Sequence, residues 1–252
     1  MATDKNPPIS VTSTPPAFPT PTPTPPPCDS QPAKLETRLH HARHLLADPG
    51  LAARITAFVN HGYKYFNPSL EGRWVMSDRF SSPTAIHDTL GADGIFAVTY
   101  ADDLPVACAS VSRWNGDMEG RGEEAGEEGW EIKTVTTRMG WMKKGLAGRC
   151  IAELTEELVR QERERGRNGN GEGEEDGRRK LRLWIHVVDE LNWEYWRRRG
   201  WEYVRGYERP AGEMGSKHGF RLLVAFKEVD IDGGLGKDAR ARGVLDGLGR
   251  PT

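Results

Sequence analysis

Cysteine is scarce in this chain. Three occur in 252 residues, and Cys28, Cys108 and Cys150 are spaced for neither a disulfide framework nor a zinc set. Net charge is also nearly absent. Thirty-five Lys and Arg against 37 Asp and Glu leave −2, which excludes a globally basic nucleic-acid binder and leaves room only for a local basic patch. No apolar run approaches the roughly 18 residues that a membrane-spanning helix needs. The amino-terminal stretch has no apolar signal core and few basic residues, so neither a secretory nor a mitochondrial leader is expected. The cytoplasm is the expected compartment, with the nucleus open. Phosphate-binding fingerprints are missing too: no lysine follows a glycine ahead of Ser or Thr as in a P-loop, and no G-x-G-x-x-G occurs.

Polar and loop-forming residues are plentiful instead. Mean hydropathy is −0.65, low enough that some segments are expected to lie outside any core. Residues 1–33 contain P-P-A-F-P-T-P-T-P-T-P-P-P, which forms neither helix nor ladder and reads as an extended, solvated tail. The Gly/Glu-rich stretch at 115–129 and the charged, Gly-broken run at 162–180 read as solvated loop insertions. A second loose tail is expected over 230–252. One domain remains, residues 34–229.

Inside that domain the periodicities predict a mixed α+β order. A first strand covers 35–41. Asp48-Pro49 then starts a helix that ends near Gly62, and Ser82-Pro83 starts a short one through Leu90. G-I-F-A-V-T-Y and P-V-A-C-A-S-V form a hairpin turning at Asp102-Asp103. E-I-K-T-V-T-T is a fourth strand and L-R-L-W-I-H-V-V a fifth. A short helix over about 193–199 and strands near Tyr203 and over 222–226 complete the order. His40, His41 and His44 share no face, so no metal site is expected.

The most informative stretch is W-M-K-K-G-L-A-G-R-C-I-A-E-L, residues 141–154. Basic and small residues stand where a helical pattern begins, with Ala147, Cys150 or Ile151, Leu154 and Leu158 on one face. A helix start offers unpaired N–H groups and a favourable dipole to an anion, and small residues let it approach the backbone. An RNA-clamping G-x-x-G loop also uses flanking basic residues, but it joins two helices, whereas this one follows a strand.

A strand, a short basic turn and x-x-G-x-Ala-Gly opening a helix resemble the GNAT N-acetyltransferase superfamily, whose pyrophosphate motif runs Gln/Arg-x-x-Gly-x-Gly/Ala. Met142, Lys143, Lys144, Gly145, Leu146 and Ala147 occupy its six places, followed by Gly148. G-I-F-A-V-T-Y-A-D-D-L-P-V-A-C-A-S resembles the family's second and third strands, and W-R-R-R-G-W-E-Y-V its carboxy-terminal helix signature. The ending G-E-M-G-S-K-H-G-F-R-L-L-V-A-F is similar to that of GNAT-domain proteins of filamentous fungi. Together these motifs span most of 35–229.

The resemblance implies a mostly antiparallel central sheet flanked by helices, with the fourth and fifth strands splayed around an acetyl-CoA donor. It implies that N–H groups from Lys143 to Gly148 cradle the pyrophosphate, with Lys143, Lys144 and Arg149 adding charge. The strand edge at Val135, Thr136 and Thr137 would pair with the pantetheine arm, and Asp189 falls near the donor where Asn is common. Met142 departs from the motif and removes one side-chain contact.

The resemblance puts the general-acid tyrosine four residues before Gly200. Trp196 stands there, and indole does not supply the proton, so Tyr195, one place off, is the expected acid. Glu131 is the base the resemblance suggests, and His186 on the fifth strand also suits general-base work. Read without the resemblance, Glu131 is a strand-end carboxylate and His186 a structural histidine. The expected activity is acetyl transfer to an amine, that of a small molecule, through a ternary complex. No nucleic acid, membrane or metal is expected as a partner. An inactive acyl-CoA-binding module and an RNA-binding G-x-x-G module are the alternatives.

Overall fold

The computed structural model describes residues 33–64, 72–75, 77–121, 126–168 and 179–232. The expected tail over 1–33 and most of the carboxy-terminal one therefore lie outside the described residues, as does the centre of the 162–180 insertion.

Seven strands form one sheet: β1 (Leu35–His41), β2 (Ile95–Ala101), β3 (Leu104–Arg113), β4 (Trp130–Thr137), β5 (Lys180–Val188), β6 (Glu202–Arg209) and β7 (Phe220–Asp230). Their order across the sheet is β1-β2-β3-β4-β5-β7-β6. Every pair is antiparallel except β4 with β5. β2 reads Ile-Phe-Ala-Val-Thr-Tyr-Ala and is buried along its whole length, as a central strand covered on both faces should be. Among the described residues five α-helices flank the sheet: α1 (Ala42–Ala47), α2 (Pro49–Lys64), α3 (Ala85–Leu90), α4 (Leu146–Asn168) and α5 (Asp189–Arg197).

Helices cover both faces. Leu146, Cys150, Leu154 and Leu158 of α4, together with Trp196 of α5, pack on Trp130, Ile132, Leu183, Ile185 and Val187. Leu154 and Leu158 are fully buried, each contributing about 1.5–3 kcal/mol. On the opposite face Leu45, Ile55, Phe58, Val59, Ile86 and Leu90 from α1 to α3 cover Phe96, Val98 and Cys108. Side chains alternate across a strand, so Glu131 and Lys133 point away from α4, as do Trp184 and His186.

Two features make the site. β4 and β5 pair only at Trp130 with Leu183 and Glu131 with Trp184. Beyond those pairs the strands part, which is the expected splay. On its other side β4 carries a bulge: Cys108 faces Thr136 and Ser110 faces Lys133, so two residues of β4 oppose Ala109. Thr134 takes a left-handed φ of 51° there, bending the strand at the mouth of the splay.

The α+β class and the sheet arrangement are as the sequence predicts, with four local differences. Residues 42–47, which the sequence reading assigns to no element, form a helix of their own whose Ala42 and Leu45 are buried. α4 continues through Asn168, so the charged run expected to be a loop begins as helix. Its Arg160 pairs with Glu157 and Glu164 one turn away on either side, the spacing that supports an exposed helix. α5 starts at Asp189, not near 193, because Asp189 and Glu190 suit a first helical turn. The fold also runs past 229: Ile231 is buried and its N–H donates to the Arg179 carbonyl at 2.9 Å.

Candidate active site

Past Glu131, β4 pairs with another strand on one edge only among the described residues. Thr136 and Thr137 pair with Cys108 and Ala107 of β3, so the edge of Val135, Thr136 and Thr137 away from β3 faces the splay. α2 closes against this strand end at Gly62, where a Cβ would run into the Thr136 side chain. A side chain there would have to displace Thr136.

The chain leaves β4 through a turn anchored by Arg138, whose N–H donates to the Val106 carbonyl at 2.8 Å and whose Nε donates to the Pro105 carbonyl at 3.1 Å. Lys143 and Gly145 then take left-handed φ of 61° and 73°. With Lys144 between them on the right-handed side, the signs alternate, the pattern in which successive N–H groups form an anion-binding concavity. The first turn of α4 follows at once. Gly145 is the residue before that helix, its carbonyl accepting the Arg149 N–H at 3.0 Å. Gly148 lies inside the first turn, where an added Cβ meets nothing within 4 Å. Met142, Lys143 and Lys144 are exposed, and Lys144 Nζ lies 4.6 Å from the Trp141 ring centroid. Asp189 sits at the start of α5, with its carboxylate 3.9 Å from Arg221.

The splay's apex brings together the two candidate bases. Glu131 Oε1 is 2.7 Å from His186 Nδ1, and its other oxygen is 2.7 Å from Lys133 Nζ. Both Glu131 and His186 are nearly buried, their side chains 12% and 15% exposed. Burial pushes the Glu131 carboxyl up, but the His186 bond and the Lys133 charge outweigh it and hold the group below the usual carboxylate range. A carboxylate so held accepts the Nδ1–H, which leaves the neutral ring's lone pair on Nε2. That atom is buried and has no partner among the described residues. The Trp114 ring lies 5.3 Å from the imidazole and 4.9 Å from Trp184 in a parallel stack.

Tyr195 lies on the other side of the splay. It packs against the α4-side core, while Trp196 is a core residue only 3% exposed and edge-on to Trp201. Burial pushes the Tyr195 phenol up, opposed by the Arg199 cation, whose guanidinium carbon sits 3.7 Å from the ring centroid. The phenol is therefore protonated at neutral pH. A wide polar cleft of about 660 Å³ near His41, Glu157 and Arg160 lies along the carboxy-terminal half of α4, away from the splay.

The β3–β4 connection, expected to be a solvated insertion, is fastened at both ends. Asp117 accepts bonds from the Tyr207 hydroxyl, from Arg205 Nε at 2.6 Å and from the N–H groups of Glu119 and Arg121. Arg205 also makes a two-bonded pair with Glu127 at 2.5 and 2.7 Å. Glycine and glutamate content hid this, since nothing local marks Asp117 as the partner of residues some 90 positions away. The connection covers the Trp184 side of the sheet, where the Trp184 indole N–H donates to the Glu128 carbonyl at 2.9 Å. Asp117→Ala leaves Arg205 and Tyr207 with an unpaired, largely buried face, and should destabilise the fold by about 3 kcal/mol. A thermal melt should show a midpoint lowered by about 6–12 °C. These bonds, against burial, hold the Asp117 carboxyl far below the aspartate range, so their stabilisation is full above that range and lost progressively as pH falls from it to the lowered value.

No family model matches the chain, and no curated protein matches it. Solved structures do. An N-acetyltransferase from Staphylococcus aureus Mu50 is 14% identical over 79% of this chain and 99% of its own, with a TM-score of 0.45. The Salmonella typhimurium yncA acetyltransferase, solved with acetyl-CoA, is 14% identical over 80% and 96%, with a TM-score of 0.46. NAA60 of Arabidopsis thaliana, bound to a bisubstrate analogue, is 11% identical over 78% and 100%, with a TM-score of 0.47. Identities this low assign no residue a role.

Proposed function

We propose that the protein transfers an acetyl group from acetyl-CoA to the amine of a small molecule. The observation that carries this reading is a coincidence of place. The basic, left-handed turn of Lys143 to Gly145 and the start of α4 follow directly from the bulged strand whose other end holds Glu131 against His186. A donor whose pyrophosphate rests on the N–H groups of Lys143 to Gly148, with Lys143, Lys144 and Arg149 beside it, has the free edge of Val135 to Thr137 for its amide-bearing arm. Its thioester would then stand at the apex. Met142 adds only backbone to this cradle, while Leu146 and Ala147 start the helix.

His186 Nε2 takes the proton as the amine nitrogen attacks the thioester carbonyl, and Glu131 holds the imidazole in the required tautomer while staying ionised. This arrangement shifts the base from Glu131, both of whose oxygens are engaged, to His186. The C–S bond breaks, and Tyr195 gives its phenolic proton to the departing thiolate. An alkylamine is only about one part in a thousand neutral at physiological pH, so the base sits where that scarcity must be met.

Two measurements test the reading. Calorimetry should register acetyl-CoA binding to the wild-type chain, and a screen of amines should release free CoA. Binding without release from any amine would point to the inactive acyl-CoA module, and no binding would sink the proposal. Tyr195→Phe should keep donor affinity and lower turnover about tenfold to a hundredfold, the lower range for acid catalysis. Unchanged turnover would remove Tyr195 as the acid.

A further inference from the structure

His186 Nε2 is not alone. The Trp74 indole Nε1 is likewise buried and without a partner among the described residues. Unpaired buried donors are few in folded proteins, and each calls for a physical account.

The two atoms belong to one face. Trp74 lies tilted on Phe220 with ring centroids 5.2 Å apart and packs against the cluster of Val188, Phe220 and Leu222. Val188 and His186 are two apart on β5 and so point the same way. Across the ladder they oppose Leu222 and Val224 of β7. The indole thus covers the next place along the face that carries His186.

The backbone holds Trp74 there. Val75 N–H donates to the Gly215 carbonyl at 2.6 Å, and Lys217 N–H donates to the Arg73 carbonyl at 2.8 Å. Trp74 itself bridges to Ser216. Arg73 adds a pair with Glu190 at 3.1 Å and donates to His218 Nε2 at 2.6 Å. A clasp of this kind fixes an aromatic donor that a free loop would let turn to water. An account by packing alone explains the ring but gives no reason for a desolvated, unsatisfied N–H there.

We infer that Trp74 is a specificity residue for the acceptor, and that the acceptor is a small primary amine bearing a carboxamide or similar neutral carbonyl. The indole N–H donates to that carbonyl oxygen while the amine nitrogen meets His186 Nε2. Arg73 is paired with Glu190 and Lys133 with Glu131, so a neutral carbonyl suits the place better than a carboxylate. This inference rests on the acetyl-transfer reading above.

The test compares glycinamide with isobutylamine, which replaces the carboxamide by an alkyl group of the same shape, with free CoA release as readout. Wild-type kcat/KM corrected to the neutral amine should favour glycinamide by tenfold or more. Trp74→Phe should lower that preference about tenfold through the KM for glycinamide, with acetyl-CoA affinity unchanged. Trp74→His, which restores a ring donor, should recover part of the preference. An equal preference in wild type and Trp74→Phe, no preference in the wild type, or no transfer to either amine by a chain that binds acetyl-CoA would each overturn the inference. Should Trp74→Phe melt abnormally, the wild-type comparison decides alone. Failure to bind acetyl-CoA would instead strike the transferase reading itself.

Discussion

His186→Gln should lower turnover by about a hundredfold to ten-thousandfold, the range over which a positioned base acts, with acetyl-CoA affinity unchanged. Glutamine is close in size and sets its amide where the imidazole carries Nε2, so the variant removes the Nε2 lone pair together with the Nδ1–H bond that Glu131 accepts at 2.7 Å. Glu131→Gln should act differently. It keeps an oxygen for the Nδ1–H but leaves Lys133 uncompensated, since that ammonium lies 2.7 Å from the carboxylate. Its effect should be smaller and should appear as an altered pH profile. The sign follows from the shift: the carboxyl lies below the ordinary range, so the couple is intact at neutral pH and weakens only on acidification through that lowered value. Turnover equal to wild type in a folded His186→Gln chain would return the base to Glu131 or to water.

Neither residue could be paired with the other from the sequence. Fifty-five positions separate Glu131 from His186, and alternation within each strand says only which neighbours share a face. What joins them is the parallel pairing of Trp130 with Leu183 and Glu131 with Trp184. That pairing became legible only through the resemblance, which supplied the splay. Strand order and the helix behind W-M-K-K-G-L-A-G-R were readable for a simpler reason: buried β2 and the Cys150, Leu154, Leu158 stripe carry strong periods of their own. The clasp at Trp74 and the fastening of Asp117 to Arg205 and Tyr207 were not readable. Each joins loop residues to partners far away in the chain, where composition suggests solvent and no period exists to contradict it. The tyrosine register was half readable. Counting from Gly200 gave Trp196, and only packing separates a core indole from the phenol beside it.

Gly148→Glu should weaken acetyl-CoA binding a hundredfold or more while leaving the fold as stable as wild type or slightly more so. The two effects have opposite signs because they have different causes. Gly148 stands in the first turn of α4, and a Cβ there meets nothing within 4 Å. A side chain replaces a glycine that costs a helix about 1 kcal/mol relative to alanine, and a carboxylate suits the positive end of the dipole. The same carboxylate faces the place proposed for the pyrophosphate, where like charge costs several kcal/mol. Gly145, the nearer glycine by motif, is a poor site for this test. Its φ of 73° strains any other residue by about 1–2 kcal/mol, so a loss of binding there would mix distortion with repulsion. Gly148→Ala separates bulk from charge and should lose far less affinity than Gly148→Glu. The measurements are donor affinity by calorimetry and melting temperature by circular dichroism. A folded Gly148→Glu chain that binds acetyl-CoA as tightly as wild type would show that the start of α4 is not where the pyrophosphate rests.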